Sequence, residues 1–521
     1  MSSTATIELT EAPGTIPADS TAHNIARSDD VTELALSRSR VQAKRATSLI
    51  IAVISGVTLI SSLLAGIVTI ALPAMARDLE ISEALQLWPA SIYSLTCGCT
   101  LILAGAVADV VGSRAMYLTG TLLQSIFTLA CGLSRTSMQL IVFRALAGIA
   151  ISFCLPSAVS LIMTYFPSGR RRNLAFGTMG GAQPIGFTLG LVMGGGLTDK
   201  VGWQVGFYIG AGLNTVLLLL AICGLPKASN NHRGVFGRLK AEIDWIGAFV
   251  LSTSLALLLY VFATWTGNLA NIKSPESISC LSLGAALLPA FVLWVQRQEQ
   301  LGKPVLIRNS IWRNKAFTSI CINVFLIWGS FNATEVLISF LFQEVQGLSA
   351  TATSVRFLPE PVAGAVTNIL IGLYVHRLRV EWALITTFVI SAVSPLLLAI
   401  MKPGSSYWEF AFPAIALCPI SCDVLWTISQ LIITAEFDEN TQALAGGVFN
   451  TVAQIGKSVG LAVSAIVASS ITQKRQTGSH DERLLVGYRG AWWFTFAVTT
   501  ACIVVTILGL RNIGKVGVKR E

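Results

Sequence analysis

SLIIAVISGVTLISSLLAGIVTIALPAMA, residues Ser48 to Ala76, contains no charged side chain. A helix crosses the hydrocarbon core of a bilayer with about 20 apolar residues, because each residue rises about 1.5 Å. This run is long enough to cross. It is also too long, and starts too far into the chain, to be the apolar core of a cleavable signal. Reading outward from it, about fourteen such runs follow by the same criterion. The first six are Ser48–Ala76, Leu85–Val107, Ala115–Leu133, Met138–Tyr165, Leu174–Leu197 and Trp203–Leu225. Two more, Trp245–Trp265 and Ile278–Val295, lie between polar stretches. The last six are Ala316–Phe342, Val355–Val375, Trp382–Met401, Trp408–Ala435, Ala443–Ile471 and Gly490–Leu510; the second of these opens on Pro359 and Pro361.

Composition agrees. Only 12% of the 521 residues are charged, 53% are hydrophobic, and the mean hydropathy is +0.68. A soluble domain is about one quarter charged, because polar surface must cover its core. The net charge of +9 does not indicate a nucleic-acid partner, because the basic residues are scattered through short loops. None of the ten cysteines shows metal-ligand spacing, and Cys97, Cys99, Cys154, Cys223 and Cys502 sit inside apolar runs as structural thiols. The four histidines form no metal-spaced pair, no phosphate-cradling glycine loop follows a strand, and no nucleophile–base pairing emerges, so neither an enzyme nor an ATP-driven machine is expected.

Residues 1–46, rich in Ser, Thr, Ala and charge, read as a disordered cytoplasmic tail. Residues 48–225 then form a six-helix bundle, 226–315 polar loops with two linker helices, 316–511 a second six-helix bundle, and 512–521 a short tail. With the N-terminus inside, the cytoplasmic loops collect roughly 23 basic residues against roughly 10 outside. Arg170-Arg171-Arg172, the Lys227–Lys240 loop and the Arg297–Lys315 loop are the clearest inside markers, and the Lys474–Arg483 loop runs against them. The sum places both termini in the cytoplasm.

Two distant segments repeat. Ala182-Gln183-Pro184-Ile185-Gly186 reaches Gly190-Leu191 after three residues, and Ala453-Gln454-Ile455-Gly456 reaches Gly460-Leu461 at the same interval. Each lies in the fifth run of its six, and each is followed by a tryptophan-led helix, at Trp203 and at Trp492-Trp493. Gly105-x-x-x-Asp109 and Gly372-x-x-x-His376-Arg377 echo each other after the second run. Paired six-helix halves are the build of alternating-access carriers, with the substrate between them.

At these residues the chain resembles the major facilitator superfamily, and within it the fourteen-helix drug:proton antiporters. Gly105-Ala106-Val107-Ala108-Asp109-Val110-Val111-Gly112-Ser113-Arg114 looks like the family's gating loop, although Val110 and Ser113 stand where basic residues are usual. Arg144 and Gly148 match its Arg-x-x-x-Gly element in the fourth helix. Gly177, Gly180, Gly181, Pro184, Gly186 and Gly190 resemble the kinked antiporter helix, with Gln183 in place of a glycine. That variant and Leu87–Thr96 look like the fungal branch of aminotriazole/boron exporters and toxin pumps, and Asp244-Trp245-Ile246-Gly247 like the start of the extra helix pair. The resemblance implies an all-α fold of two six-helix bundles plus two linker helices. One departure bears on mechanism: Ala71-Leu72-Pro73 is present, but Leu64 stands where many relatives carry an aspartate.

Asp423, in the twelfth run, is then the leading candidate for a proton carrier, and packing through backbone hydrogen bonds is its equal alternative. Glu335 in the ninth run and Arg144 are further proton-coupling candidates, while Glu360 reads as sitting at a helix mouth. Trp88, Gln183, Trp426 and Gln454 are candidates for the substrate cavity, although most of the tryptophans near helix ends read as interfacial anchors. The expected function is export of a toxin, drug or metabolite across the plasma membrane, with a vacuolar membrane as the alternative. The expected carrier is a monomer, driven by the proton gradient, with no cofactor and no metal. Alternatives are a carrier of small polar solutes such as borate or ammonium, and a non-transporting sensor, which the short C-terminal tail disfavours.

Overall fold

The computed structural model describes the backbone of residues 18–82, 85–166, 170–225, 235–267, 273–375, 377–437, 439–475, 477, 479–511 and 514. Among the described residues, 13 helices are long and apolar enough to cross a membrane. The remaining run is a 31-residue helix whose many glycines dilute its apolar content. We number the fourteen in chain order. The first half comprises α1 (Ser48–Asp78), α2 (Trp88–Val111), α3 (Ser113–Leu133), α4 (Ser137–Tyr165), α5 (Arg170–Lys200) and α6 (Gln204–Gly224). The extra pair is α7 (Trp245–Gly267) and α8 (Pro275–Gln300). The second half comprises α9 (Lys315–Val345), α10 (Ala350–Tyr374), α11 (Val380–Ile400), α12 (Tyr407–Glu436), α13 (Glu439–Lys474) and α14 (His480–Gly509). Helical backbone is recorded from Ala18, inside the stretch read as a disordered tail; side chains are described from Ser48 on. Residues 1–17, Lys227, Arg233, His376 and most of 512–521 lie outside the described residues.

The faces turned away from the bundle are apolar. Leu122, Ile126, Leu129 and Leu133 line one face of α3, and Val362, Val366, Ile369, Leu370 and Leu373 one face of α10, all of them exposed. Stripes of this kind suit a hydrocarbon solvent. The two ion pairs recorded among the described residues, Arg238–Glu242 and Arg379–Glu381, lie at helix ends.

In lipid, helices gain little from burying apolar side chains against each other, so small residues that let backbones touch decide the packing. The repeated glycines do this in both halves. A Cβ on Gly186 would strike the Leu59 carbonyl of α1, and one on Gly190 the Leu63 carbonyl. In the second half, Gly456 meets Phe325 and Gly460 meets Gly329, both on α9. The internal repeat is thus a repeated contact between the first and fifth helix of each bundle. Leu64, at the expected aspartate position, is 2% exposed and packs on Gly210 of α6.

Asp244 caps α7 through the Gly247 N–H at 2.8 Å and accepts the Trp294 indole N–H of α8 at 3.0 Å, which ties the extra pair together. Ser252 of α7 donates to the Cys99 carbonyl of α2. Prolines break two helices of the second half. α10 is interrupted before Pro359 and α12 before Ile420, after Pro419, because proline cannot donate the helical hydrogen bond.

Replacing Gly190 or Gly460 with leucine would force backbones apart and cost about 3 kcal/mol or more. A thermal-unfolding series in detergent should show both variants melting well below wild type. Gly177→Ala, whose added methyl meets no atom within 4 Å, should match or exceed wild type.

Candidate functional site

The second half holds a cluster of buried ionisable side chains within its apolar helices. Glu335 of α9 and Glu360 of α10 are each 4% exposed, and their carboxyls lie close enough to act on one another. Two buried carboxyls this close hold a proton between them until a cation offsets their charge, because two uncompensated like charges are costly to bury side by side. One Glu335 oxygen, Oε1, is buried and has no hydrogen-bond partner among the described residues. Glu360 reaches this depth because the break before Pro359 starts a new helix inside the bundle, with Glu360 in its first turn, and not at the protein's mouth. Asp423 of α12 lies against Gly364 of α10, whose carbonyl accepts from the Asn368 side chain, and is near both Asn368 and Glu360.

Lys457 of α13 completes the cluster and was missed in the sequence reading. Its ammonium lies 4.2 Å from the centre of the Trp328 ring. Among the described residues no carboxylate oxygen comes within the 4.0 Å that defines an ion pair with it. Trp328 meets Phe331 edge-on at 5.7 Å and Trp426 at 6.0 Å, and Trp426 packs on Phe449 at 5.3 Å. The signal for Lys457 was available: a lone cation in the apolar run Ala443–Ile471 is as costly as Arg144 in the fourth. A cavity of about 10 Å³, room for about one water, is lined by Ser330, Thr334, Ser391, Ser421 and Thr499 of the same half.

The remaining candidates lie apart from this cluster. Arg144 is 4% exposed and stands in the first half, where its Nε donates to the Pro89 carbonyl at 2.8 Å and its guanidinium covers the Tyr93 ring at 4.5 Å. Gly148 lets α4 lie on Tyr93 and Thr96 of α2. Arg144 thereby joins α4 to the start of α2. In the loop motif, Gly112 turns with φ 105°, and Arg114 donates to the Leu225 and Ile222 carbonyls, closing the end of α6. Asp109 is exposed and makes no ion pair among the described residues, and Gly105 faces Pro156. Gly181 meets nothing within 4 Å, and Pro184 lies within a continuous α5. Trp426 joins the aromatic group around Lys457, Gln454 packs on Gly98 of α2, and Trp88 and Gln183 belong to the first half.

One end of the space between the halves is closed. Asp199, at the end of α5, accepts the Ala350 and Thr351 N–H groups at the start of α10, at 3.1 and 2.7 Å. Thr351 donates back to the Gly195 carbonyl, and Gln343 of α9 donates to the Ile70 carbonyl of α1. Ile70, Leu72 and Leu191 fill the seam against Leu337, Leu341 and Phe342. Partial burial pushes the Asp199 carboxyl up, but hydrogen bonds from Thr351, Ser349 and Ala350 outweigh it and hold the group below its usual range. Toward the other end, Gly177, Gly180 and Gly181 of α5 and Gly446 and Gly447 of α13 face open space.

Two matched bundles, closed at one end around buried ionisable groups, define a secondary-transport fold. The Major Facilitator Superfamily model matches residues 54–461 and 361–519, and the chain belongs to that family. It is 40% identical to MFS-type transporter 1 of Pyricularia oryzae over 92% of this chain and 86% of that one. It is 26% identical to the aminotriazole resistance protein of Saccharomyces cerevisiae over 80% of this chain and 75% of that one. Among solved structures, a bacterial homologue of the human lysosomal transporter Spinster shares the fold, with a TM-score of 0.61, 13% identity, and coverage of 89% of this chain and 97% of that one.

Asp199→Asn removes the charge from two hydrogen bonds and should weaken the seam by about 1 kcal/mol after allowance for solvent screening. A membrane-impermeant maleimide should then label a cysteine placed at Ser354 faster than in an otherwise wild-type chain. Because the Asp199 carboxyl is depressed in the folded state, its contribution is present above the unfolded value of about 3.9 and is lost only as pH falls through the lower folded value. Labelling in wild type should therefore not change through Asp199 between pH 8 and pH 5.

Proposed function

We propose that this transporter uses the proton gradient to export small organic molecules of the drug, toxin or secondary-metabolite kind. It would work as a monomer in the plasma membrane with both termini cytoplasmic. The observation that carries the reading is the facing carboxyl pair, Glu335 with Glu360, buried beside an aromatic surface in the second half. The resistance named for the yeast relative supports the direction and the substrate class.

With the basic loops inside, the end sealed by Asp199 is the external one and the carrier opens to the cytoplasm. A substrate enters between the halves, the carboxyl pair gives up its proton to the cytoplasm, and the bundles rock so that the seam opens outward. A proton from outside then returns to the pair, the substrate leaves, and the protonated carrier resets. Burial makes the charged pair costly, so the carrier switches readily only when substrate or proton compensates it.

Right-side-in vesicles with an imposed pH gradient test this. Glu335→Gln and Glu360→Gln should each cut gradient-driven flux about tenfold or more, with normal expression. Asp423→Asn should also abolish coupled export; full activity in that variant removes Asp423 from the mechanism. Equal flux with and without a gradient in wild type supports instead a facilitator of small polar solutes.

A further inference from the structure

Lys457 sits level with Asn332, whose side-chain amide donates to the Lys457 carbonyl at 3.2 Å. Trp328, Asn332 and Glu335 follow one another along a single stripe of α9, because residues four and then three apart share a helix face. From the level of Asn332 the ammonium therefore has two destinations, each about one helical turn (about 5.4 Å) away. In one direction is the Trp328 ring, where it rests at 4.2 Å. In the other is Glu335, whose buried Oε1 has no hydrogen-bond partner among the described residues. The side chain is long enough to reach either.

We propose that the face of Trp328, bounded by Phe331 and Trp426, is a binding subsite for an organic cation, and that Lys457 is a tethered competitor for it. The inference rests on the proton-coupled reading above and extends it to the substrate's charge. When the Glu335–Glu360 pair shares its proton, its one remaining negative charge is spread over both carboxyls and engaged in the shared hydrogen bond, and Lys457 stays on the ring and excludes a cation. When the proton leaves to solvent, Oε1 becomes part of a full carboxylate and draws Lys457 one turn away. The ring is then bare, and a cationic aromatic or alkyl substrate takes the vacated place, since ring faces attract cations and desolvation strengthens the attraction. Proton and substrate thus exclude one another without sharing an atom, as exchange requires. The titratable groups acting on Lys457 are Glu335 from α9, Cys422 from α12 and Cys97 from α2, with Glu360 and Asp423 acting through the pair.

The probe is tetraphenylphosphonium, with tetraphenylborate as an anion of nearly the same shape, bound to the full chain in nanodiscs and read by tryptophan fluorescence. Wild type should bind the cation more tightly as pH rises. Lys457→Gln should bind it about tenfold more tightly at low pH and lose the pH dependence. Lys457→Arg, which keeps a cation able to cover the ring, should resemble wild type at low pH. Trp328→Leu should lose cation binding at every pH. Glu335→Gln should hold Lys457 on the ring and bind weakly throughout, which decides the matter if Lys457→Gln does not fold. Unchanged or weaker cation binding in Lys457→Gln overturns the proposal. So does selective binding of tetraphenylborate that Lys457→Gln abolishes, since Lys457 would then be an anion receptor. If Glu335→Gln loses gradient-driven flux while the Lys457 variants bind cations as wild type does, the subsite is wrong and the proton reading stands.

Discussion

Everything in this fold depends on helix backbones touching where water is absent. In lipid the hydrophobic effect between helices is weak, so the two bundles are held at glycine contacts where a single methyl would strike a carbonyl or Cα. Gly186 and Gly190 against α1, and Gly456 and Gly460 against α9, set the spacing of each bundle. That spacing places α13 on α9 closely enough for Asn332 to hold the Lys457 backbone and for the ammonium to rest on the Trp328 ring. The chemistry is a consequence of the glycines.

The membrane character and the two-bundle organisation were legible in the sequence, because lipid demands long uncharged runs and the glycine interval recurs in the fifth helix of each half. The site was legible only in part. Glu335 and Asp423 announce themselves as acids in apolar runs, but their partners do not. Glu360 stands between two prolines, which in a sequence mark a helix end; the direction in which the broken helix then points depends on tertiary packing and is not written locally. Arg144 reads as chemistry by the cost of burying it, yet it is satisfied by the Pro89 carbonyl and the Tyr93 ring, both supplied by a neighbouring helix. Lys457 obeys the same cost rule and was passed over because a search for proton carriers looks first for acids.

The duplicated scaffold also shows how the two halves differ in charge at matched positions. Leu59 and Leu63 meet Gly186 and Gly190 as Phe325 and Gly329 meet Gly456 and Gly460. In the same register, Gly66 faces the Phe187 carbonyl as Asn332 faces that of Lys457. Carried along the helices, this register pairs Trp328 with Ser62, Glu335 with Thr69 and Lys457 with Phe187. The first half therefore repeats the geometry with neutral side chains: Thr69 is buried and donates to its own helix at the Ala65 carbonyl. Leu64, buried on Gly210 where the family resemblance led to the expectation of an aspartate, belongs to the same pattern. One bundle has neutral side chains at these positions, its buried cation Arg144 being held by the Pro89 carbonyl and the Tyr93 ring; the other carries a carboxyl pair and a cation whose preferred arrangement, in the proposed cycle, changes with one proton. A carrier built this way would need only one responsive bundle, because the seam between the halves moves when either side changes its preference, and a partner without a carboxyl pair adds no second pair to desolvate at each turn of the cycle.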